Sequence, residues 1–249
     1  MNAIKRVVKY FTPFEIFLWS ASVVLITVAF FVFDGKNYLA FSASLIGVTS
    51  LILCAKGNPA GQVLMVVFAV LYGIISWTSA YYGEMITYLG MSAPMAICAL
   101  VAWIRNPFKG NRAEVKVNRL GIKEILFSLA LTAVVTVAFY FILRALGTAN
   151  LLVSTISVAT SFFAVYLTFR RSAFFALAYA ANDLVLIILW SLAPDAASSY
   201  VSVIICFVVF LINDLYGFFN WTKMMKRQKA TEKSDVQSEA VARTHGTAN

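Results

Sequence analysis

Residues 199–221 read SYVSVIICFVVFLINDLYGFFNW, a run of 23 residues with a single charged side chain, Asp214. A helix needs about 20 mostly apolar residues to cross a bilayer core of about 30 Å. Runs of similar length recur at 16–33, 38–55, 61–81, 85–104, 122–143, 150–169 and 172–192. They are too long for barrel strands and do not alternate in polarity. The sequence therefore predicts an all-α polytopic membrane protein with eight transmembrane helices.

The basic residues are distributed unevenly across this topology. Hydrophobic residues make up 61% of the chain and charged residues 12%, whereas soluble domains carry about 25% charged residues. Of the 20 Lys and Arg residues, only Lys36 and Arg144 fall on one side of the predicted membrane. The positive-inside rule therefore places both termini and the loop 105–123 in the cytoplasm. The net charge of +9 is thus interpreted as a topology signal, and no nucleic-acid partner is expected.

Two parts of the chain resemble each other. SASLIGVTS at 42–50 is similar to STISVATS at 154–161, and later spans end in Trp77 and Trp190, then in Trp103 and Trp221. We predict two parallel three-helix units, 38–108 and 150–227, with a substrate site between them near the midplane. A basic loop and a linker helix at 109–149 connect the units, and the added span gives the second unit the same orientation in the membrane as the first. Residues 1–37 hold an extra helix, and 228–249 form a polar tail predicted to be disordered.

Two acids lie deep within predicted spans, Asp183 and Asp214, each beside an asparagine. A buried acid costs roughly 2.5–3.5 kcal/mol on insertion, so it normally faces the bundle interior or a wet cavity. At 100° per residue, one stripe contains Tyr179, Asn182, Asp183 and Trp190. The last span carries Asn213, Asp214, Tyr216, Asn220 and Trp221. The first unit offers uncharged counterparts: Gln62, Tyr72, Trp77, Tyr81, Thr87 and Tyr88.

These side chains indicate the class of ligand. Asparagine both donates and accepts hydrogen bonds, as sugar hydroxyls require, and aromatic rings stack on flat rings and attract cations. Pro94 marks a point where the third helix of the first unit is expected to kink. A purely structural role remains open, because amides and acids also hold membrane helices together.

Other functional classes lack their motifs. The only histidine, His245, lies in the polar tail, and the sequence contains no HExxH, CxxC or P-loop. Cys54, Cys98 and Cys206 are interpreted as packing residues. We therefore expect no enzyme activity, no metal and no cofactor. A channel or a structural subunit stays as an alternative.

Several short segments together resemble the PnuC family of bacterial vitamin transporters, over residues 38–227. They are AKGNP at 55–59, YGEMITY at 82–88, NPFKGN at 106–111, Asn182-Asp183 with Trp190, and NDLYGFFNW at 213–221. The resemblance implies a SWEET-like core of three, one and three helices, often trimeric, in the bacterial cytoplasmic membrane. It also implies that Asn182, Asp183, Trp190, Asn213, Asp214, Tyr216, Asn220 and Trp221 line the site.

The best-known members of the family take up nicotinamide riboside, and this is the substrate that the resemblance implies, although relatives transport thiamine or riboflavin. The expected mechanism is alternating access driven only by the substrate gradient. A cytoplasmic kinase would maintain that gradient by phosphorylating the imported substrate. Phe218 departs from the family pattern, because nicotinamide riboside transporters commonly have Trp there. Thiamine or another vitamin therefore remains an alternative substrate, and proton symport remains an alternative mechanism.

Overall fold

A computed structural model describes residues 10–78, 82–192 and 198–246. Eight helices run through these residues, and we number them in chain order. They are α1 (Pro13–Ala29, extended by a π-helical turn, Phe30–Asp34), α2 (Tyr38–Ala55), α3 (Pro59–Thr78), α4 (Tyr82–Ile86, a π-helical segment Thr87–Ser92, and Ala93–Arg105), α5 (Ile122–Ala145), α6 (Leu151–Phe169), α7 (Phe175–Ser191) and α8 (Ser198–Gly246). The predicted residue Tyr81 and the cations Lys5, Arg6 and Lys9 lie outside the described residues.

The helices match the predicted spans. Seven of them contain an apolar stretch long enough to cross a membrane. The eighth apolar helix, α7, has 17 residues and is therefore about 25 Å long, close to the thickness of a bilayer core. Many large apolar side chains face outward, such as Phe127 and Phe141 on α5. The all-α, multi-pass membrane class is confirmed.

Local signals explain where the first helix begins. Thr12 accepts a hydrogen bond from the backbone N–H of Glu15 at 3.2 Å, and the Glu15 carboxylate accepts one from the N–H of Thr12 at 2.7 Å. This capping box satisfies two amides that the first turn leaves free. Pro13 at the first helical position costs no backbone hydrogen bond, because an N–H at this position would have no partner within the helix.

Two tryptophans, one in each predicted unit, donate hydrogen bonds to backbone carbonyls of the other unit. Trp221 on α8 donates its indole N–H to the carbonyl of Cys54 near the end of α2, at 2.8 Å. Trp103 on α4 donates to the carbonyl of Thr168 near the end of α6, at 2.9 Å. Both side chains are fully buried, and their ring centroids are 5.3 Å apart. The last helix of each unit thus binds the end of the first helix of the other.

Helix packing follows the same reciprocal order. Within the units, α2 packs on α3 and α3 on α4, as α6 packs on α7 and α7 on α8. Between them, α8 packs on α2 and α4 packs on α6. This order is the one that two parallel repeats would produce, and the repeat itself stays a prediction. The linker α5 packs on α6, while α1 packs on α2 and α8.

A short hairpin, not foreseen in the loop 105–123, bridges the ends of both units. Strands β1 (Pro107–Phe108) and β2 (Asn111–Val115) are antiparallel. The N–H of Val115 donates to the carbonyl of Gly57, after α2, at 2.9 Å, and that of Asn118 donates to Arg171, after α6, at 2.9 Å. Gly57 and Arg171 both have positive φ, 68° and 58°, which lets the chain turn sharply there. We call this end of the bundle the basic end.

The prediction of a disordered tail from residue 228 is wrong for the described part, because α8 continues to Gly246. Gln228 is buried, and its side-chain amide donates to Glu114 at 2.8 Å and to the carbonyl of Val115 at 3.0 Å. Lys116 pairs with Glu232 at 2.7 Å. The hairpin therefore supplies partners that the polar composition of the tail does not reveal.

Replacing Trp221 with phenylalanine tests the exchanged hydrogen bonds. Phenylalanine keeps most of the ring contacts but removes the N–H donor, and we expect a loss of about 1 kcal/mol in the free energy of unfolding. Trp103→Phe is expected to cost a similar amount. Thermal unfolding in detergent measures both, with Trp77→Phe as control because Trp77 is 63% exposed. Equal melting temperatures for Trp221→Phe and the control would contradict the assignment.

Candidate functional site

A central cavity of about 120 Å³ lies between the two predicted units. Side chains from helices of both units line it, together with Leu143 of the linker α5. The cavity therefore occupies the position that the sequence predicts for a substrate site. Seven of the predicted site residues line it, and so does Thr87: Tyr72, Tyr88, Tyr179, Asn182, Asp183, Trp190 and Asp214.

Two carboxyl groups, those of Asp183 on α7 and Asp214 on α8, meet at the cavity. Both side chains are buried and line the same cavity. The Oδ2 atom of Asp183 has no partner among the described residues. The pair therefore offers oxygen acceptors and negative charge to a ligand.

No positive side chain balances this charge within the cavity. Its lining, over the described residues, contains no Lys, Arg or His, and the remaining acid is Glu84 on α4. Since a buried charge without a partner is costly, a cationic ligand would gain from binding beside the acids. The site is electrostatically suited to a cation and unsuited to a phosphate.

Hydroxyl groups of α6 hold the amide of Asn182 in one orientation. Its Oδ1 atom accepts hydrogen bonds from Thr160 at 2.8 Å and Ser161 at 3.0 Å, with Ser157 at 3.5 Å. The NH₂ group is then the part of Asn182 left to donate to a ligand. In the sequence, the hydroxyl residues of this stretch indicate the internal repeat and are not predicted to contact Asn182. Their spacing of three and four residues places them on one helical face, and this pattern could have identified them as partners of a buried polar group.

Aromatic rings of α3 and α4 form another part of the cavity wall. The ring centroids of Phe68 and Tyr72 are 4.6 Å apart, and those of Tyr72 and Tyr88 are 5.3 Å apart. Gly47 on α2 makes room for this wall, because a Cβ atom there would lie 2.6 Å from Phe210 and 2.9 Å from Phe68. These tyrosines combine a face for stacking with a hydroxyl for hydrogen bonding.

Helix α4 changes its winding where it meets the cavity. The segment Thr87–Ser92 is π-helical, and the N–H of Ala93 donates to the carbonyl of Tyr88, five residues back. Pro94 follows at the start of the next α-helical segment, where it has no N–H to offer. Such insertions are frequent at functional sites. They place Thr87 and Tyr88 on the cavity, near the predicted kink at Pro94.

A second space of about 350 Å³ adjoins the cavity at the end opposite the hairpin. It shares Tyr72, Glu84 and Trp190 with the cavity and also contacts Asp34. No Lys, Arg or His lines it among the described residues. We call it the outer vestibule. Glu84, which the sequence predicts only to lie at the end of a span, lines both the vestibule and the cavity.

Four predicted site residues instead attach α8 to neighbouring helices. Asn213 donates to Ser22 on α1 at 2.9 Å, and the hydroxyl of Tyr216 donates to Glu15 at 2.8 Å. Asn220 donates to the carbonyl of Ala55 at 2.8 Å, and Trp221 makes the bond to Cys54 already described. None of the four lines the cavity. The predicted common face is therefore divided, since Asn213 faces α1 while Asp214, one residue later, faces the cavity.

The two remaining predicted residues also lie away from the cavity. The Gln62 amide is buried and donates to the Cys54 sulfur at 3.2 Å, while Trp77 is exposed on the outside of the bundle. A single helical wheel cannot reveal this, because it does not show on which side each neighbour packs. Among the described residues, no cluster of three His, Cys, Asp or Glu side chains could hold a metal.

Comparison with known proteins identifies the family. Residues 37–223 match the family described as nicotinamide mononucleotide transporter. The chain belongs to this transporter family. It is thus a membrane transporter and not an enzyme, and the resemblance to PnuC proteins is confirmed. The match covers the first predicted unit, the linker and the second unit up to residue 223, and it begins after α1.

Individual relatives support the same assignment. The chain is 28% identical to a nicotinamide riboside transporter PnuC of Neisseria mucosa, covering 87% of this chain and 83% of that protein. It is 26% identical to a protein of the same name from Haemophilus influenzae, covering 86% and 92%. A crystal structure of the vitamin B3 transporter PnuC superposes with a TM-score of 0.75 at 26% identity, covering 88% of this chain and 94% of that one.

Replacing Tyr216 with phenylalanine distinguishes an attachment role from a binding role. The change removes a hydrogen bond to a charged group, and we expect a loss of about 1.5–3 kcal/mol in the free energy of unfolding. Uptake by the remaining folded protein should stay near that of the wild type. Thermal unfolding and uptake are compared with Tyr38→Phe, because Tyr38 is exposed. Unchanged stability with lost uptake would place Tyr216 in the transport path.

Proposed function

We propose that this protein imports nicotinamide riboside through the central cavity. The observation that carries the proposal is the buried pair Asp183 and Asp214, in a cavity without a cation among the described residues. Nicotinamide riboside is a pyridinium cation that bears a ribose. The curated relatives are named as transporters of this compound. Its charge, ring and hydroxyls match the acids, aromatic rings and amide that line the cavity.

The family description names the mononucleotide, but the charges of the cavity favour the riboside. A phosphate monoester carries about two negative charges near neutral pH. In the cavity it would meet Asp183, Asp214 and Glu84 with no Lys or Arg beside them, among the described residues. Repulsion would therefore exclude the phosphorylated form. Phosphorylation in the cytoplasm would then prevent the substrate from leaving through the same path.

The ring and the ribose find different partners in this proposal. Tyr72, Tyr88 and Trp190 supply aromatic faces for the pyridinium ring, which combines stacking with attraction of a cation. The NH₂ group of Asn182 and the free oxygen of Asp183 supply a donor and an acceptor for ribose hydroxyls. Tyr179, on the same helix face, completes the lining. The outer vestibule, with Asp34 and Glu84, would attract the cation before it reaches the site.

The cavity must widen to hold a nucleoside. Its volume of about 120 Å³ is below the 300–1,000 Å³ typical of ligand pockets. We infer alternating access, in which the two three-helix units move relative to each other about this site. The π-helical segment Thr87–Ser92 is a natural place for α4 to bend, because its hydrogen bonds are already irregular.

The finer points of the proposal come from charge and from the family. The basic end, where the hairpin lies, is proposed to face the cytoplasm, and the outer vestibule would then open to the outside. Transport would follow the substrate gradient, maintained by a cytoplasmic nicotinamide riboside kinase, in a homotrimer within the bacterial cytoplasmic membrane. Thiamine is also a cation with an aromatic ring, so the same acids make it the second candidate substrate.

Asp183→Asn tests recognition of the positive charge. We expect nicotinamide riboside to bind about 10–100-fold more weakly, since an interaction with a buried charge contributes about 1.5–3 kcal/mol. The reduced riboside has an uncharged ring, and its affinity should change little. Calorimetry on detergent-purified protein measures both ligands and thiamine, with Trp77→Phe as control. Equal losses for the charged and uncharged rings would contradict the role of charge.

Reconstituted vesicles test the driving force. Without ATP, internal nicotinamide riboside should rise to the external concentration and no further, because nothing couples transport to energy. Trapping a riboside kinase and ATP inside should raise the accumulated label well beyond that limit. Collapsing an imposed pH gradient should leave the initial rate unchanged. Accumulation above the external concentration, driven by the pH gradient alone, would instead establish proton symport.

A further inference from the structure

A separate polar pocket of about 340 Å³ lies at the basic end. It is formed by Tyr10 before α1, the turn after α2, the hairpin, and α8. It shares no lining residue with the central cavity. The residues that matter for its chemistry are Lys56, Asn111, Glu114, Asn220, Lys223 and Arg227. Its volume lies within the range of small-molecule sites.

The pocket has a surplus of positive charge. Lys56 pairs with Glu15 at 2.9 Å, and Arg227 pairs with Glu114. These two pairs use Glu114, which lines the pocket, and Glu15 of α1. Among the described residues, Lys223 has no ion pair, and it stands one helical turn from Arg227. Among the described residues, the Lys223 ammonium group thus has no carboxylate partner, and the neighbouring Arg227 guanidinium pairs with a single acid.

We propose that this pocket binds a phosphate-bearing ligand, of the size of a nucleoside monophosphate. Lys and Arg side chains are the usual partners of phosphate, as a point charge and as a planar fork. Two amides, Asn111 and Asn220, also line the pocket. The Asn111 oxygen accepts a hydrogen bond from the N–H of Ala113 and the Asn220 NH₂ group donates to Ala55, which leaves the Asn111 NH₂ group and the Asn220 oxygen for the uncharged part of the ligand. The charge of this pocket is opposite to that of the central cavity, which is lined by acids. The riboside and its phosphorylated product would therefore bind at different places.

A bound phosphate would connect the two units. Lys56 follows α2 of the first unit, whereas Lys223 and Arg227 belong to α8 of the second. A ligand that contacts both would resist their relative movement, and transport would slow when it accumulates. This consequence rests on the proposed alternating access. The binding itself does not depend on it and can be tested alone.

Calorimetry on the full chain in nanodiscs of neutral phosphatidylcholine tests the site, with nicotinamide mononucleotide and inorganic phosphate as probes. We expect saturable binding of the mononucleotide, weakened at least about tenfold by Lys223→Gln or Arg227→Gln. Lys226→Gln is the matched control, because Lys226 is exposed on the same helix and does not line the pocket. Nicotinamide riboside should bind all three variants like the wild type, which separates this site from the central cavity.

Nanodiscs containing anionic phosphatidylglycerol distinguish the sources of the phosphate. Weaker mononucleotide binding there, lost in Lys223→Gln, would assign a lipid headgroup as a competing occupant of the same phosphate site. Unchanged binding would assign the soluble ligand. Absence of saturable binding by either probe would overturn the proposal. So would binding that survives both substitutions but is lost in Asp183→Asn, since the ligand would then occupy the central cavity.

Discussion

The exchanged tryptophan hydrogen bonds are the contact on which the rest of the structure depends. Within a bilayer, polar backbone groups need partners inside the protein, and helix ends are where such groups become free. Here α2 and α6 end in sharp turns, and Trp221 and Trp103 reach across from the other unit to carbonyls in the last turn of each helix. The indoles also pack against each other. The two units are thus joined at one end.

That joint leaves the interior on its other side for polar groups. Beyond the indoles the interior holds Asp183, Asp214 and Asn182, and hydroxyl groups of α6 hold the amide of Asn182. Buried polar groups of this kind are expensive in a membrane and usually functional. In a transporter family, such groups are expected to contact the substrate. The same joint brings the hairpin and α8 together, which builds the second, positively charged pocket.

The spans and the acids were predictable, because both follow from the cost of transferring side chains into lipid. The bounds of α2 match the predicted 38–55, and the other helices differ at their ends by up to a few residues, apart from the long extension of α8. Asp183 and Asp214 stood out because charged residues in such runs are rare. The roles of Asn213 and Tyr216 were not predictable. They depend on α1, whose position against α8 no local pattern specifies.

By itself, the sequence determined the membrane class, the number of helices, the end of the bundle that carries the positive charge, and the two acids that need a buried partner. These properties depend on the polarity of each residue and its position along a helix. Only the tertiary structure decided which face of α8 meets the cavity, that the tail continues as a helix against the hairpin, and that opposite charges line two separate pockets. Those properties depend on contacts between residues up to about 200 positions apart, such as Tyr216 with Glu15, and helical periodicity carries no information about them.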